Sequence, residues 1–416
     1  MRNQAEIITV VPIPGEVPIQ ERPQAPAVKR NIAKPKKKKM MFPADLTQAL
    51  ELLVPLEHLP ELMAKGGEHL VFTFEEEKPG TGEKRHPNIV YKVNFAQTAD
   101  ALKEFIADAG HQPEEDRLRQ AEQRLKQEVG TRRRNVQQLR SYFGKDAVPA
   151  EQTMVRRLPI SFEAVRALKK PIVAPKKNLP PEFPMLVTVQ RKMPEFDAKI
   201  SLSGYYLEMN FRLDEDRDEN KEYFRRQKQF YALCYLVFVE QRLPKDAEEW
   251  TGADLDRLIA QMYPELQGLM QKDDPALLDE LADLVERMRR YSEETGNVLD
   301  LAAPGNVLLT EKDERWRPMM PDAILPNECT FDEARLYANY FKRLPPDKHL
   351  DYRTVIVLMN ALNTVRVINA LMLIALQRDP DKPAPDLKTI PFLHFEEFDN
   401  LDLDRWIKEL AYHNVF

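Results

Sequence analysis

The chain has 416 residues, with 61 Lys and Arg against 67 Asp and Glu and a formal net charge of −6. That length allows a sizeable buried core and more than one lobe or domain, and the charge excludes a global basic excess of the nucleic-acid-binding kind. The two cysteines, Cys234 and Cys329, form neither a disulfide framework nor a metal-binding spacing. Cys234 sits in an apolar helix-like run at 230–239, a core position, and a reducing, cytoplasmic setting is the expectation. No continuous apolar stretch opens the chain, so no signal peptide is expected.

Residues 1–43 read as a disordered Pro/Lys-rich arm. They carry Pro12, Pro14, Pro18, Pro23 and Pro26 and end in the basic run Lys34 to Lys39. Such a segment buries too little apolar surface to offset the entropy of ordering it. The lysine run is either a solvated tail or a contact for an acidic partner, a membrane surface or nucleic acid. Residues 44–64 follow with Leu46, Leu50, Leu53, Leu56, Leu59 and Leu62 near helical spacing, which predicts an amphipathic helix.

Gly66 and Gly67 then precede a β-prone run at 69–74. A charged, turn-rich insert at 75–87 leads to a second strand, Ile89 to Phe95. Within it Lys92 shares a face with Val90 and Asn94, while Tyr91 and Val93 point the other way. A short helix is predicted over 98–110 and a long, charged one over 114–143, with Leu118, Leu125, Val129, Val136 and Leu139 as its apolar positions. The run Arg132-Arg133-Arg134 lacks interleaved aromatic residues, which suits a solvated face better than a phosphate or nucleic-acid site. Two further strands are expected at 152–160 and 185–190, separated by a Pro/Lys-rich loop.

Beyond residue 195 the pattern becomes helical, with helices predicted over 220–242, 253–262, 275–294, 331–344, 354–377 and 401–412. Thr295-Gly296 reads as a helix C-cap. The most apolar of these segments, 355–376, is interrupted by Asn360, Asn363, Arg366 and Asn369, so it reads as a buried helix and not as a transmembrane segment.

The stretch 298–325 holds the most chemistry. Asp300, the Pro304-Gly305 turn and Asn306 lead into the apolar run 307–309; a charged turn at 311–315 and then Asp322 follow. The pattern predicts a loop, a short buried strand, a hairpin turn and a second strand. That ribbon can bring Asn306 and Asp322 to one end, where an amide oxygen and a carboxylate are hard ligands suited to Mg²⁺. The competing reading is a surface hairpin whose Asn and Asp serve only its turns.

These residues resemble the catalytic-loop and metal-loop region of the protein-kinase-like fold, including its small-molecule, aminoglycoside-type phosphotransferase branch. The family pattern is H-R-D-L-x-x-x-N followed by D-F-G. Here Leu299-Asp300-Leu301 leads to Pro304-Gly305-Asn306, and Asp322-Ala323-Ile324 stands where D-F-G would. The family histidine is absent at Val298, Asp300 lies six positions before Asn306 where the pattern has five, and the Phe and Gly after the metal aspartate are replaced. Ala302 and Ala303 stand where the family keeps a Lys or His.

The resemblance implies an α+β, two-lobed kinase-like fold: a small antiparallel-sheet N-lobe at 44–195 and a mostly helical C-lobe at 196–416, joined by a hinge at 188–194 that would hold an adenine edge. It further implies ATP and Mg²⁺ as cofactors. Gly66 and Gly67 would cover the nucleotide, Lys92 would hold its α/β-phosphates, and a glutamate on the long helix, Glu122 or Glu128, would pair with that lysine. Asn306 and Asp322 would hold Mg²⁺. Asp300 would accept the proton of a hydroxyl on an unidentified protein or small-molecule substrate. The departures leave two alternatives: an inactive, pseudokinase-type binding protein, or a structural and assembly protein with no nucleotide site.

Overall fold

A computed structural model describes residues 61–65, 69–73, 76–77, 84–85, 89–94, 101–102, 104–108, 113–159, 180–203, 218–244, 250–263, 274–301, 305–322, 329–376 and 379–413. The arm at 1–43, its Lys34 to Lys39 run, and both Gly66 and Gly67 lie outside the described residues.

Among the described residues the fold is α+β, with every strand pairing antiparallel. Strands β1 (Glu61–Lys65), β2 (His69–Thr73), β5 (Ile89–Asn94), β6 (Glu151–Pro159) and β7 (Glu182–Arg191) form a five-stranded sheet in the order β1-β2-β5-β7-β6. The short strands β3 (Glu76–Glu77) and β4 (Lys84–Arg85) pair with each other inside the charged insert. The helix expected over 44–64 is corrected at its end: 61–65 is a strand, paired with β2 through Glu61↔Thr73 and Lys65↔Leu70. Leucine spacing there is compatible with a helix, and the ladder to β2 decides the backbone instead.

Residues 101–102 and 104–107 are helical, and helix α1 (Glu114–Phe143) follows across the sheet. Glu114, Glu115 and Asp116 in its first turn complement the helix dipole. Its buried stripe is Leu118, Ala121, Leu125, Val136, Leu139 and Phe143. The first three pack with Phe183 and Leu186 of β7 in a small core between helix and sheet.

The second half is built around a much larger core, to which Val136, Leu139 and Phe143 of α1 also belong. It comprises helices α2 (Asp218–Phe238), α3 (Gly252–Met262), α4 (Pro275–Thr295), α5 (Phe331–Arg343), α6 (Tyr352–Ala375) and α7 (Leu403–Tyr412) and a three-stranded sheet of β8 (Ala198–Ser201), β9 (Leu308–Lys312) and β10 (Arg315–Met319), in the order β10-β9-β8, with α4 packed on β10. Helix α6 packs against α2, α3, α4 and α5. Its length and composition alone would suit a membrane span, but 89% of its apolar window is buried inside the fold. An all-round apolar helix is stable in that central position because every face meets another element.

Two buried polar residues of α6, Asn369 and Thr364, are tied to neighbouring segments, since a buried polar group without a partner is costly. Asn369 donates to the Phe238 and Leu393 carbonyls at 2.6 and 2.9 Å and accepts from the Leu393 amide at 2.8 Å. Thr364 donates to the carbonyl of Leu299 at 2.9 Å. Three backbone groups lose their partner if the Asn369 amide is removed. Asn369→Ala is therefore expected to destabilise the protein by about 2–4 kcal/mol, read as a lowered urea midpoint.

Candidate functional site

Lys92 lies on β5, directly opposite Thr188 of β7, which in turn faces Thr153 of β6. The neighbouring row is Val90, Gln190 and Glu151. These six residues share one face of the sheet because side chains alternate with period two. Lys92 is 8% exposed, and such burial requires a partner for its charge.

The partner comes from the hairpin. Strands β9 and β10 pair from Leu308↔Met319 to Lys312↔Arg315, with Asp313 and Glu314 as the two-residue turn. Both turn residues have positive φ, 54° and 60°, as a type I′ turn requires, and the Asp313 amide donates to the Asp197 carboxylate at 3.1 Å. The turn is thus tighter than the five charged residues suggested. Asn306 precedes β9 and Asp322 follows β10, so the register places both at the open end of the ribbon, opposite the turn.

There the Asp322 carboxylate meets Lys92 Nζ at 3.2 Å through Oδ2, and Arg132 Nη2 at 3.3 Å through Oδ1. The adjacent Pro321 carbonyl accepts from Gln190 Nε2 at 2.6 Å and from Lys92 Nζ at 3.5 Å. Arg132 is held in turn by Glu151, with Nε to Oε1 at 2.6 Å and Nη2 to Oε2 at 3.0 Å. Two cations and two carboxylates thus close a chain of contacts from β5 to the hairpin exit, to α1, to β6. Beside them lies a cavity of about 10 Å³, the space of roughly one water molecule. Burial alone would lower the Arg132 guanidinium, but Glu151 and Asp322 overturn that and hold it above its ordinary value.

Asn306 is buried beside β8. Gly305, with φ 87°, turns the chain into the left-handed region that glycine tolerates. The Gly305 amide donates to Ser201 Oγ and the Val307 amide to Ser203 Oγ, both at 3.1 Å.

Asp300 is half-buried in the loop between α4 and β9. Gly296 ends α4 in left-handed conformation, φ 69°, as a C-cap should. The loop is then pinned from Val298 to the Cys329 carbonyl at 3.0 Å and from the Leu299 carbonyl to Thr364. The Cys329 thiol is pushed up by burial first and by the Glu333 and Asp300 carboxylates after it, against Arg353. The charge of Asp300 is therefore felt at the start of α5.

Of the predicted site residues, Lys92 and Asp322 meet directly, and Asn306 shares the ribbon end with Asp322. Of the two helix glutamates, Glu122 is engaged away from this set. Glu122 pairs with Lys126 at 2.7 Å and with Arg157 at 3.3 Å, and the Lys126 hydrogen bond leads the lowering of its pKa. It lies ten residues before Arg132, about 15 Å along the helix, too far to reach the same point. Arg132 is the residue the sequence analysis placed on a solvated face. It falls seven positions after Leu125 and four before Val136, which is the buried stripe, and that spacing was the available signal. Glu151 and Gln190 carried no sequence signal of their own.

Among the described residues no cluster of three or more His, Cys, Asp or Glu side chains forms a metal site. Asn306 and Asp322 do offer the hard oxygens that Mg²⁺ prefers, although both Asp322 oxygens here face cations. No family model, curated protein or solved structure matches the chain.

The Arg132–Glu151 pair carries a direct test. Removing Glu151 takes from the buried guanidinium its two-point partner and leaves it the 3.3 Å contact to Asp322, so Glu151→Ala is expected to cost up to about 3 kcal/mol, whereas the double variant Arg132→Met with Glu151→Met stays near or above wild-type stability. Chemical denaturation of the three proteins gives both values.

Proposed function

We propose that the protein is a two-lobed, kinase-like protein that binds ATP with Mg²⁺ between its five-stranded sheet and its helical half. One observation carries the reading: the 3.2 Å pair between Lys92 and Asp322. A strand lysine and the aspartate after a hairpin, 230 residues apart, converge as a phosphate-binding lysine and a metal aspartate would. Asn306 at the same ribbon end supplies the second metal ligand in this reading. Mg²⁺, when bound, would neutralise charge on the phosphates. Lys92 would orient the α/β-phosphates and Asp322 would exchange Lys92 for the metal. Phosphoryl transfer needs positioning and charge more than covalent chemistry, and Asp300 would accept the proton of the substrate hydroxyl.

A second reading, nucleotide binding without transfer, is favoured by a specific observation. The charge of Asp300 acts on the Cys329 thiol next to Glu333 and Arg353, at the start of α5, and its register to Asn306 is one residue longer than in the pattern it resembles. The first reading requires ADP release that is lost in Asp300→Ala; the second requires binding without ADP release in either protein.

Binding itself is tested by thermal unfolding. At a hundredfold excess over Kd, ATP with Mg²⁺ is expected to stabilise the wild type by about 2.7 kcal/mol, and Lys92→Ala to lose that gain. Asp322→Ala is expected to lose the part of the gain that depends on Mg²⁺. Equal melting temperatures with and without millimolar ATP and Mg²⁺ would sink the nucleotide reading and leave a structural protein.

A further inference from the structure

Resting on the nucleotide reading above, we infer that Arg132 and Lys92 together form a two-cation seat for a phosphate group, and that the Asp322 carboxylate sits in that seat until a phosphate-bearing ligand displaces it. The four charges differ in how firmly they are held. Arg132 grips Glu151 through two hydrogen bonds of 2.6 and 3.0 Å, and these two side chains are 10% and 6% exposed. Asp322 is held at 3.2 and 3.3 Å, one cation to each oxygen, and is 23% exposed. Both contacts are longer than the about 2.7–2.9 Å of a full-strength charge-assisted bond, and Asp322 is the most solvent-accessible of the four side chains.

Its geometry is also that of a stand-in. Two oxygens of one anion each face a different cation, as two oxygens of a phosphate would, and an arginine fork suits phosphate oxygens well. With Asp322 in place the set is neutral, two positive against two negative. With Asp322 withdrawn, Lys92 and Arg132 face the vacated position against Glu151 alone, and the set is net positive. Glu151 then orients Arg132 and keeps it ready. The consequence is that part of the affinity for a triphosphate survives without divalent metal, because the protein itself supplies two cations at that point. Asp322 restrains this metal-free binding and serves the metal-bound state instead.

The test is calorimetric titration of ATP and of adenosine into full-length protein, in EDTA and in Mg²⁺. Wild type is expected to bind ATP in EDTA. The paired variant Arg132→Gln with Glu151→Gln, which keeps two hydrogen-bonding amides in the buried site, is expected to lose about tenfold or more of that affinity while binding adenosine unchanged. Asp322→Asn, which leaves Arg132 and Glu151 intact and keeps the test open should the paired variant not fold, is expected to bind ATP more tightly than wild type in EDTA. Equal ATP affinity in EDTA for wild type and the paired variant, or no gain in Asp322→Asn, overturns the seat and makes Arg132 structural. ATP binding that occurs in Mg²⁺ but not in EDTA also overturns the seat and leaves the nucleotide reading standing. If wild type binds ATP under neither condition, both readings fall.

Discussion

A buried guanidinium has to be answered by carboxylate, and that requirement fixes the geometry of the site. Arg132 occupies a position on α1 where its neighbours are Leu125, Val136 and Leu139, and an unpaired charge there would be too costly to bury. Glu151 at the start of β6 answers it with a two-point contact that sets both the distance and the rotation between helix and strand. The same guanidinium then reaches Asp322, so the hairpin exit is referred to α1 and not only to the sheet. Lys92 and Gln190 complete the link from the sheet side, through Asp322 and the Pro321 carbonyl. Five stretches of chain are thereby registered to one point by directional contacts, while the surrounding apolar packing is non-directional.

The loop that carries Asp300 depends on a separate framework. Helix α6 is almost wholly buried, and two of its polar residues, Thr364 and Asn369, act as fixed points for the backbone segments that pass it. Thr364 bonds the carbonyl just before Asp300, and Asn369 bonds backbone on both α2 and the segment after α6. The two frameworks touch through Asn297, whose amide donates to Gln138 of α1 at 2.9 Å. Val136 and Leu139 of α1 also belong to the large core. Disturbance of α1 therefore reaches both the Lys92–Asp322 set and the Asp300 loop, by packing and by hydrogen bonds that also include Tyr142 to the Glu294 carboxylate at 2.7 Å and Arg287 to the Phe143 carbonyl at 3.5 Å.

Much of this was legible in sequence wherever one local rule acted alone. The span of α1, the C-cap at Gly296, the hairpin at 308–319 and the buried character of α6 all follow from periodicity, left-handed glycine and interrupted hydropathy. The meeting of Lys92 and Asp322 was legible only through resemblance, because nothing local connects residues 230 positions apart. What escaped were cases in which a tertiary contact outweighs the local signal. Residues 61–65 have leucine spacing yet pair as a strand with β2. Arg132 belongs to a run of three arginines that reads as solvated, while its phase within the apolar stripe points inward. Glu122 or Glu128 was expected by analogy to a helix glutamate; Glu122 pairs with Lys126 and Arg157 instead, and Arg132, of opposite charge, is a residue of that helix that meets Asp322.

That reversal of sign has chemical content. A glutamate at the level of Lys92 would neutralise the lysine and leave the aspartate to a metal. In the proposed nucleotide reading an arginine there, itself held by Glu151, would add positive charge beside a polyphosphate, so charge neutralisation would be shared between protein and metal. Such a site gains affinity for the ground state of the ligand. It gains rate only if the same contacts tighten as the phosphate begins to transfer. Asp300 sits on a different loop, between α4 and β9, where its carboxylate is one of the charges that, after burial and Glu333, push the Cys329 thiol up. In the proposed nucleotide reading, the Lys92–Asp322–Arg132–Glu151 set would serve binding while Asp300 would serve transfer, so that reading makes binding and turnover separable.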